Sequence, residues 1–433
     1  MNKNFYILFI LYINYLLYSF CYFVFPFKSN LSLSYCNYNN IMEKLYINDI
    51  FTYISLGTPN KKYSFQIKLS QFPFSILGEE TKKINLKKFS KNSSLSSKFY
   101  EDETYFYENE EFSSGILLTD NIVFSTNKKT YNLENFSIYY ITDTNENENI
   151  NETGIIGLNI ENKQYKLGYA YNTNLINQLK NYNLIKEKTF YFKYIEEDKG
   201  NLIIGEYPDN FDKNYKNYTF TQIQYDFSLA KWSINFNIYY DNKILFNLQN
   251  CLFEIEKGFI FAPNYFLIEI ENTFFKEQIE KKLCEKKFFV FDLKNITYFV
   301  CNKNVNFKKM KNLKFKNSNG LNYDFILTYK DLIYEYKNKI YYLIIFRDDN
   351  NWILGKPFFK KYQLIFDSEK KTIGYYKYYS KNNKILSSKK FFYMIIFLLI
   401  IVILYLVYNI IFVKNKLKRK IKLNELAENY EYF

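Results

Sequence analysis

Across residues 47–379 the sequence breaks into many short runs of Ile, Phe, Tyr, Val and Leu, separated by clusters of Asn, Gly, Asp and Lys. Several runs alternate apolar with polar residues, the period of a strand that presents one face to a core. Tyr63, Phe65, Ile67 and Leu69 alternate in this way, while the run from Tyr341 through Tyr342, Leu343, Ile344 and Ile345 to Phe346 suits a strand buried on both faces. A chain punctuated like this folds as β-sheet, and its 433 residues provide for two β-rich units plus terminal segments. One short helix stands out over 175–182, where Leu175, Ile176, Leu179 and Tyr182 fall at helical spacing behind the cap residue Asn174. The polar stretches 81–102 and 142–152 predict exposed loops.

The two ends have a different character. Residues 5–25 form an apolar run behind Met1, Asn2, Lys3 and Asn4, which predicts a signal peptide over 1–25, with an uncleaved N-terminal anchor as the alternative reading. Residues 26–46 form a short N-terminal segment. Residues 391–413 carry no charge, over a length that as a helix spans about 30 Å of hydrocarbon. Lys414, Lys416, Lys418, Arg419, Lys420 and Lys422 follow, so the positive-inside rule puts the basic tail 414–433 in the cytosol. The polar stretch 380–390 is then a stalk. These features predict a single-pass type I membrane protein of the secretory pathway or cell surface, with its large domain lumenal or extracellular.

The net charge of +14 comes from lysines spread among Asn, Tyr and Glu rather than gathered in a patch, which fits solvated surface and no nucleic-acid partner. The chain has no histidine, which excludes Ser-His-Asp and Cys-His chemistry, and it has no Gly-x-x-x-x-Gly-Lys phosphate loop. Beyond Cys21 in the leader, Cys36, Cys251, Cys284 and Cys301 are spaced unlike a zinc site, so neither a metal nor a cofactor is expected. In an oxidising lumen these cysteines could form two bridges. Cys284 and Cys301 are close in sequence and flank the strand-like stretch 288–292, which makes them the natural local pair and leaves Cys36 with Cys251. Asn-x-Ser/Thr sequons at Asn30, Asn92, Asn135, Asn151, Asn217 and Asn295 are candidates for glycosylation.

The order of strand and glycine signals resembles that of the pepsin-like aspartic proteases. Ile54-Ser55-Leu56-Gly57-Thr58-Pro59 looks like the strand and turn that open the first lobe, and 114–123 resembles the strand leaving the flap. Thr153-Gly154-Ile155-Ile156-Gly157-Leu158 is similar to the element that packs beneath the first catalytic loop. The stretch ending Gly200-Asn201-Leu202-Ile203-Ile204-Gly205 looks like the hairpin that joins the lobes. Trp352-Ile353-Leu354-Gly355, followed by 358–367 and Ile373-Gly374-Tyr375, is close to the family's C-terminal signature. Each motif alone is weak; their shared order is specific. The resemblance implies an all-β, bilobal pepsin-like fold with few short helices, an N-terminal lobe over 47–205 and a C-terminal lobe over 206–379, followed by the transmembrane helix.

The family's reaction needs an Asp-Thr-Gly loop in each lobe, so that two carboxylates share a proton and hold the attacking water. Counted without a gap from Pro59, the first aspartate position holds Lys68, and the loop aligned around Ala262-Pro263 puts Glu254 at the second. Leu69 and Ser70 replace threonine and glycine in one loop, Ile255 and Glu256 in the other. Asp143-Thr144-Asn145 and Asp198-Lys199-Gly200 lack the loop's hydrophobic lead-in. The glycine-rich flap tip reads Tyr107-Glu108-Asn109-Glu110-Glu111-Phe112, with Tyr107 as the flap tyrosine of the cleft displaced by one residue. The resemblance therefore implies a pseudoprotease with no intact catalytic site, one that binds a peptide or protein ligand in its cleft. An active endopeptidase of divergent site, using Glu254 with Glu256, is the alternative. Lys68 and Glu254, being of opposite charge, are expected to tie the lobes by a salt bridge or through one water, with both side chains pointing to solvent in the open cleft as the alternative. The topology has a direct check: in sealed microsomes added protease should remove only the tail after Lys414, and digestion of 47–390 would overturn the assignment.

Overall fold

The structure is a computed structural model that describes residues 22–29, 49–81, 87–108, 111–125, 130–144, 152–161, 170–212, 214–223, 231–291, 294–317, 323–348 and 350–378, with short helical pieces at 407–408, 411–415 and 417–419. Most of the expected leader, stalk and membrane segment lies outside these residues, as do Cys36, Asn30 and Asn151. Among the described residues no helix is long and apolar enough to cross a membrane.

Strands dominate, arranged in a 13-stranded and an 11-stranded sheet. Both are built from the aromatic and β-branched runs of the sequence, which suit a pleated, half-buried surface. The alternation expected from Tyr63 to Leu69 is present, with all four side chains buried. Gln66 and Lys68 between them are buried as well, because the strand Lys61–Lys68 is covered on both faces. The expected helix forms as Leu175–Asn181, where the Asn174 side chain accepts the Asn177 N–H at 3.1 Å and satisfies a donor that the helix start leaves open. Asn264–Ile270 is a second helix and was not anticipated. Phe266, Leu267 and Ile270 carry its signal, at spacings of one and four from the first.

The expected loop 81–102 gives way at its end to strand Lys98–Glu108. The run 341–346 is divided between strands Lys339–Tyr342 and Ile344–Arg347, because Leu343 turns aside to bond the Leu332 carbonyl at 2.8 Å. The first strand then pairs in a hairpin with Ile333–Tyr336, and the second runs parallel to Ile260–Pro263. The first sheet also takes in residues ahead of 47. Strand Phe23–Ser29 pairs with Lys199–Ile204, so the expected leader end at residue 25 falls inside a sheet strand whose Phe23 and Phe25 are buried.

Nor does the first sheet stop at residue 205. Leu364–Asp367 pairs with Thr189–Tyr194, Thr372–Tyr378 pairs with Leu364–Asp367, and Tyr215–Gln222 continues the edge. Phe190, Trp232, Phe253 and Phe366 pack on this central ladder, with Phe190 and Phe366 stacked at 5.0 Å and Trp232 edge-on to Phe366 at 5.0 Å. One hydrophobic core runs from it through both lobes.

Cys284 and Cys301 face each other in the hairpin ladder and form a disulfide. Cys251, by contrast, is a free thiol buried in the core, where burial pushes its pKa well up, while Cys36, its expected partner, lies outside the described residues. Replacing both Cys284 and Cys301 by Ala should lower unfolding stability by about 3 kcal/mol, the loop-closure value for a loop of this size, as read from urea midpoints. Replacing Cys251 by Ser should cost stability without changing disulfide content in unreduced peptide maps.

Candidate active site

The two lobes build the same device from different residues. In the first, strand Lys61–Lys68 runs parallel to Gly154–Gly157, with Ile67 opposite Ile156 and Lys68 opposite Gly157. In the second, Lys243–Phe253 runs parallel to Trp352–Leu354, with Phe253 opposite Leu354, so that Glu254 comes level with Gly355. Lys68 and Glu254 thus hold equivalent places at the ends of equivalent strands.

Backbone bonds strap each loop down. The Leu158 N–H donates to the Lys68 carbonyl at 2.9 Å, Asn159 N–H to Gln71 at 2.8 Å and Gly157 N–H to Pro73 at 3.0 Å. In the second lobe Glu254 N–H donates to Leu354 at 3.2 Å, and Lys356 N–H to Lys257 at 2.8 Å. Such contact needs glycine at the crossing. A Cβ on Gly157 would stand 2.5–2.7 Å from the backbone of Gln71, Phe72 and Pro73, and one on Gly355 would stand 2.2 Å from the Phe259 carbonyl oxygen.

The paired strand-and-glycine loops, set on a sheet that both halves of the chain share, decide the family. The chain belongs to the eukaryotic aspartyl protease family. A family model of that description matches residues 50–377. No curated protein matches the chain.

Within this aspartyl protease fold, Lys68 is buried at 4% exposure and Glu254 is half-buried. The side chain that crosses between the lobes is that of Glu256, two residues beyond Glu254. Its Oε1 accepts the Ser70 N–H at 3.0 Å and its Oε2 the Leu69 N–H at 3.3 Å. Glu256 is 7% exposed, and burial, then the Glu254 charge, push its pKa up, against smaller opposing effects of the bond from Ser70 and of Lys257. A second tie lies nearby, where Trp232 Nε1 donates to the Leu158 carbonyl at 2.8 Å.

Sequence reasoning placed Glu256 beside Glu254 but did not anticipate its reach into the other lobe; no local pattern encodes a contact between loops so distant in sequence. Trp232 carried no signal either, because an indole at the head of the alternation Trp232, Ile234, Phe236 reads as core.

Tyr107 lies in the hairpin of strands Lys98–Glu108 and Glu111–Ser125, opposite Phe112 at its far end. Asp143 stands opposite Ser114 near the end of Thr130–Thr144, and Asp198 lies in the turn before Lys199–Ile204, so neither is on one of the paired loops. Asn92, Asn135 and Asn295 are exposed, and Asn217 is on strand Tyr215–Gln222.

Among the described residues, Lys68, Glu254, Glu256 and Lys257 lie on the paired loops, and the Lys356 amide bonds to one of them. Lys356, at the start of helix Lys356–Lys361, is largely buried, and desolvation lowers its pKa, partly offset by Glu197 whose Oε1 lies 3.8 Å from Nζ. Among the described residues no group of three or more acids, cysteines and histidines could hold a metal. Gly355→Ala should destabilise by about 1–3 kcal/mol, since backbone carbonyls and not movable side chains oppose the new methyl, and urea denaturation should register it as a lower midpoint.

Proposed function

We propose that this aspartyl protease homologue is a membrane-tethered pseudoprotease, which binds an extended peptide or a protein segment between its lobes and does not hydrolyse it. The observation that carries this reading is the equivalence of Lys68 and Glu254 at the two strand ends. Aspartic chemistry uses two carboxyls at these places, one ionised and one protonated, with a water between them. An ammonium supplies neither a base nor a carboxylic acid there, and beside a carboxylate it favours the permanent anion.

A reading as an active endopeptidase would need Glu256 as the partner of Glu254. The raised pKa of Glu256 suits a general acid. Against it, Glu256 is buried and each of its carboxyl oxygens already accepts a backbone N–H of the opposite lobe, from Leu69 or Ser70, so the carboxyl is held as a tie between the lobes.

The tether is the apolar stretch 391–413 with its basic tail, and it places the lobes in the lumen of the secretory pathway or outside the cell. Exposed Asn92, Asn135 and Asn295 are then accessible to glycosylation.

Incubation of the purified chain with a peptide library between pH 4 and 7 separates the readings. Retention of intact peptides without new termini is the expected outcome. Cleavage that disappears in Glu254→Gln would establish the endopeptidase instead. Lys68→Asp combined with Glu254→Asp should remain inactive, since Leu69, Ser70, Ile255 and Glu256 still lack the groups that orient a carboxylate pair.

A further inference from the structure

We propose that Glu256 is a proton-sensitive clasp between the two lobes, whose carboxyl is gripped across the interface by two backbone N–H groups so that acidity changes how firmly the lobes are held together. This goes beyond ligand binding and holds whether or not a peptide occupies the cleft.

The geometry is specific. A carboxyl from the second-lobe turn, 7% exposed, meets adjacent amides of the first-lobe loop at 3.0 and 3.3 Å. The loop that donates is itself held rigid, through Leu158 on the Lys68 carbonyl and Asn159 on the Gln71 carbonyl. Movement of one lobe against the other must therefore stretch these two bonds. The charged groups around the carboxyl are Glu254 and Lys257 on its own turn, Lys68 on the strand that ends one residue before Leu69, and Lys356, whose amide holds the Lys257 carbonyl.

The chain has no histidine, so the residue type that ordinarily senses pH between 5 and 7 is absent. An acid moved upward by its surroundings is the natural replacement. Among the described residues two acids are moved upward, Glu152 and Glu256, and only Glu256 spans the lobes.

The sign follows from where the protons are. Because the folded value lies above the ordinary 4.5, the folded protein binds more protons than the unfolded chain between those two values. Stability from this group is lowest above the folded value, rises as pH falls through it, and levels off below the unfolded value. Protonation surrenders one acceptor, yet it removes a buried charge and its repulsion with Glu254, which are the two largest influences.

The test follows hydrogen exchange of the Leu69 and Ser70 amides in the full chain at several pH values between 7 and 4.5, with rates corrected for intrinsic pH dependence. Protection in the unaltered protein should rise with acidity, by up to about tenfold per pH unit within the window. Glu256→Gln, neutral at every pH, should be flat across it, while Glu152→Gln should keep the rise. Glu254→Gln should move the rise to lower pH, and it supplies the answer if Glu256→Gln does not fold. A flat profile in the unaltered protein overturns the proposal, as does a rise that survives Glu256→Gln or vanishes in Glu152→Gln.

Discussion

The ladder between Thr189–Tyr194 and Leu364–Asp367 joins the end of the first lobe to nearly the last strand of the second, and the site exists only because that ladder forms. It brings the closing strands of the chain into the sheet begun by Phe23–Ser29 and Ile50–Leu56. Phe190, Trp232, Phe253 and Phe366 then fill the space between this sheet and the second lobe. Burial on that scale, at roughly 25 cal/mol per Å² of apolar surface, sets the loop ends near enough for Glu256 to reach Ser70.

Each loop is held by a parallel strand, a glycine and backbone hydrogen bonds, and none of these depends on the side chain at the strand's end. Lys68 and Glu254 can therefore occupy equivalent places without disturbing the fold around them. This separates architecture from chemistry: packing and backbone bonding keep the aspartyl protease fold, while activity depends on a few side chains that the fold tolerates in many forms.

Glu256 sits where those two considerations meet. A carboxyl taken out of water loses solvation, and here two N–H donors and a nearby lysine return only part of it while Glu254 opposes it. In a chain without histidine, Glu256 is one of two described acids whose hold on a proton the fold strengthens. The interface between the lobes is thus also a place where acidity acts on the structure.

Much of this was legible in the sequence because it depends on local chemistry. The period of two from Tyr63 to Leu69, the capped helix behind Asn174, and the glycines at 154, 157 and 355 all report short-range constraints of strand, helix or tight crossing. The pairing of Cys284 with Cys301 was legible for the same reason, being a single hairpin. The break at Leu343 was not, since it arises from a bond to Leu332, which lies outside the run and just ahead of strand Ile333–Tyr336. The buried thiol of Cys251, the place of Phe23–Ser29 within the sheet, and the crossing of Glu256 to Leu69 and Ser70 were likewise settled by tertiary structure. Sequence by itself determined the strands, their turns and the residue types at the loop ends, because those follow from neighbours along the chain. Which carboxyl spans the lobes was decided only when packing brought distant loops within hydrogen-bond reach.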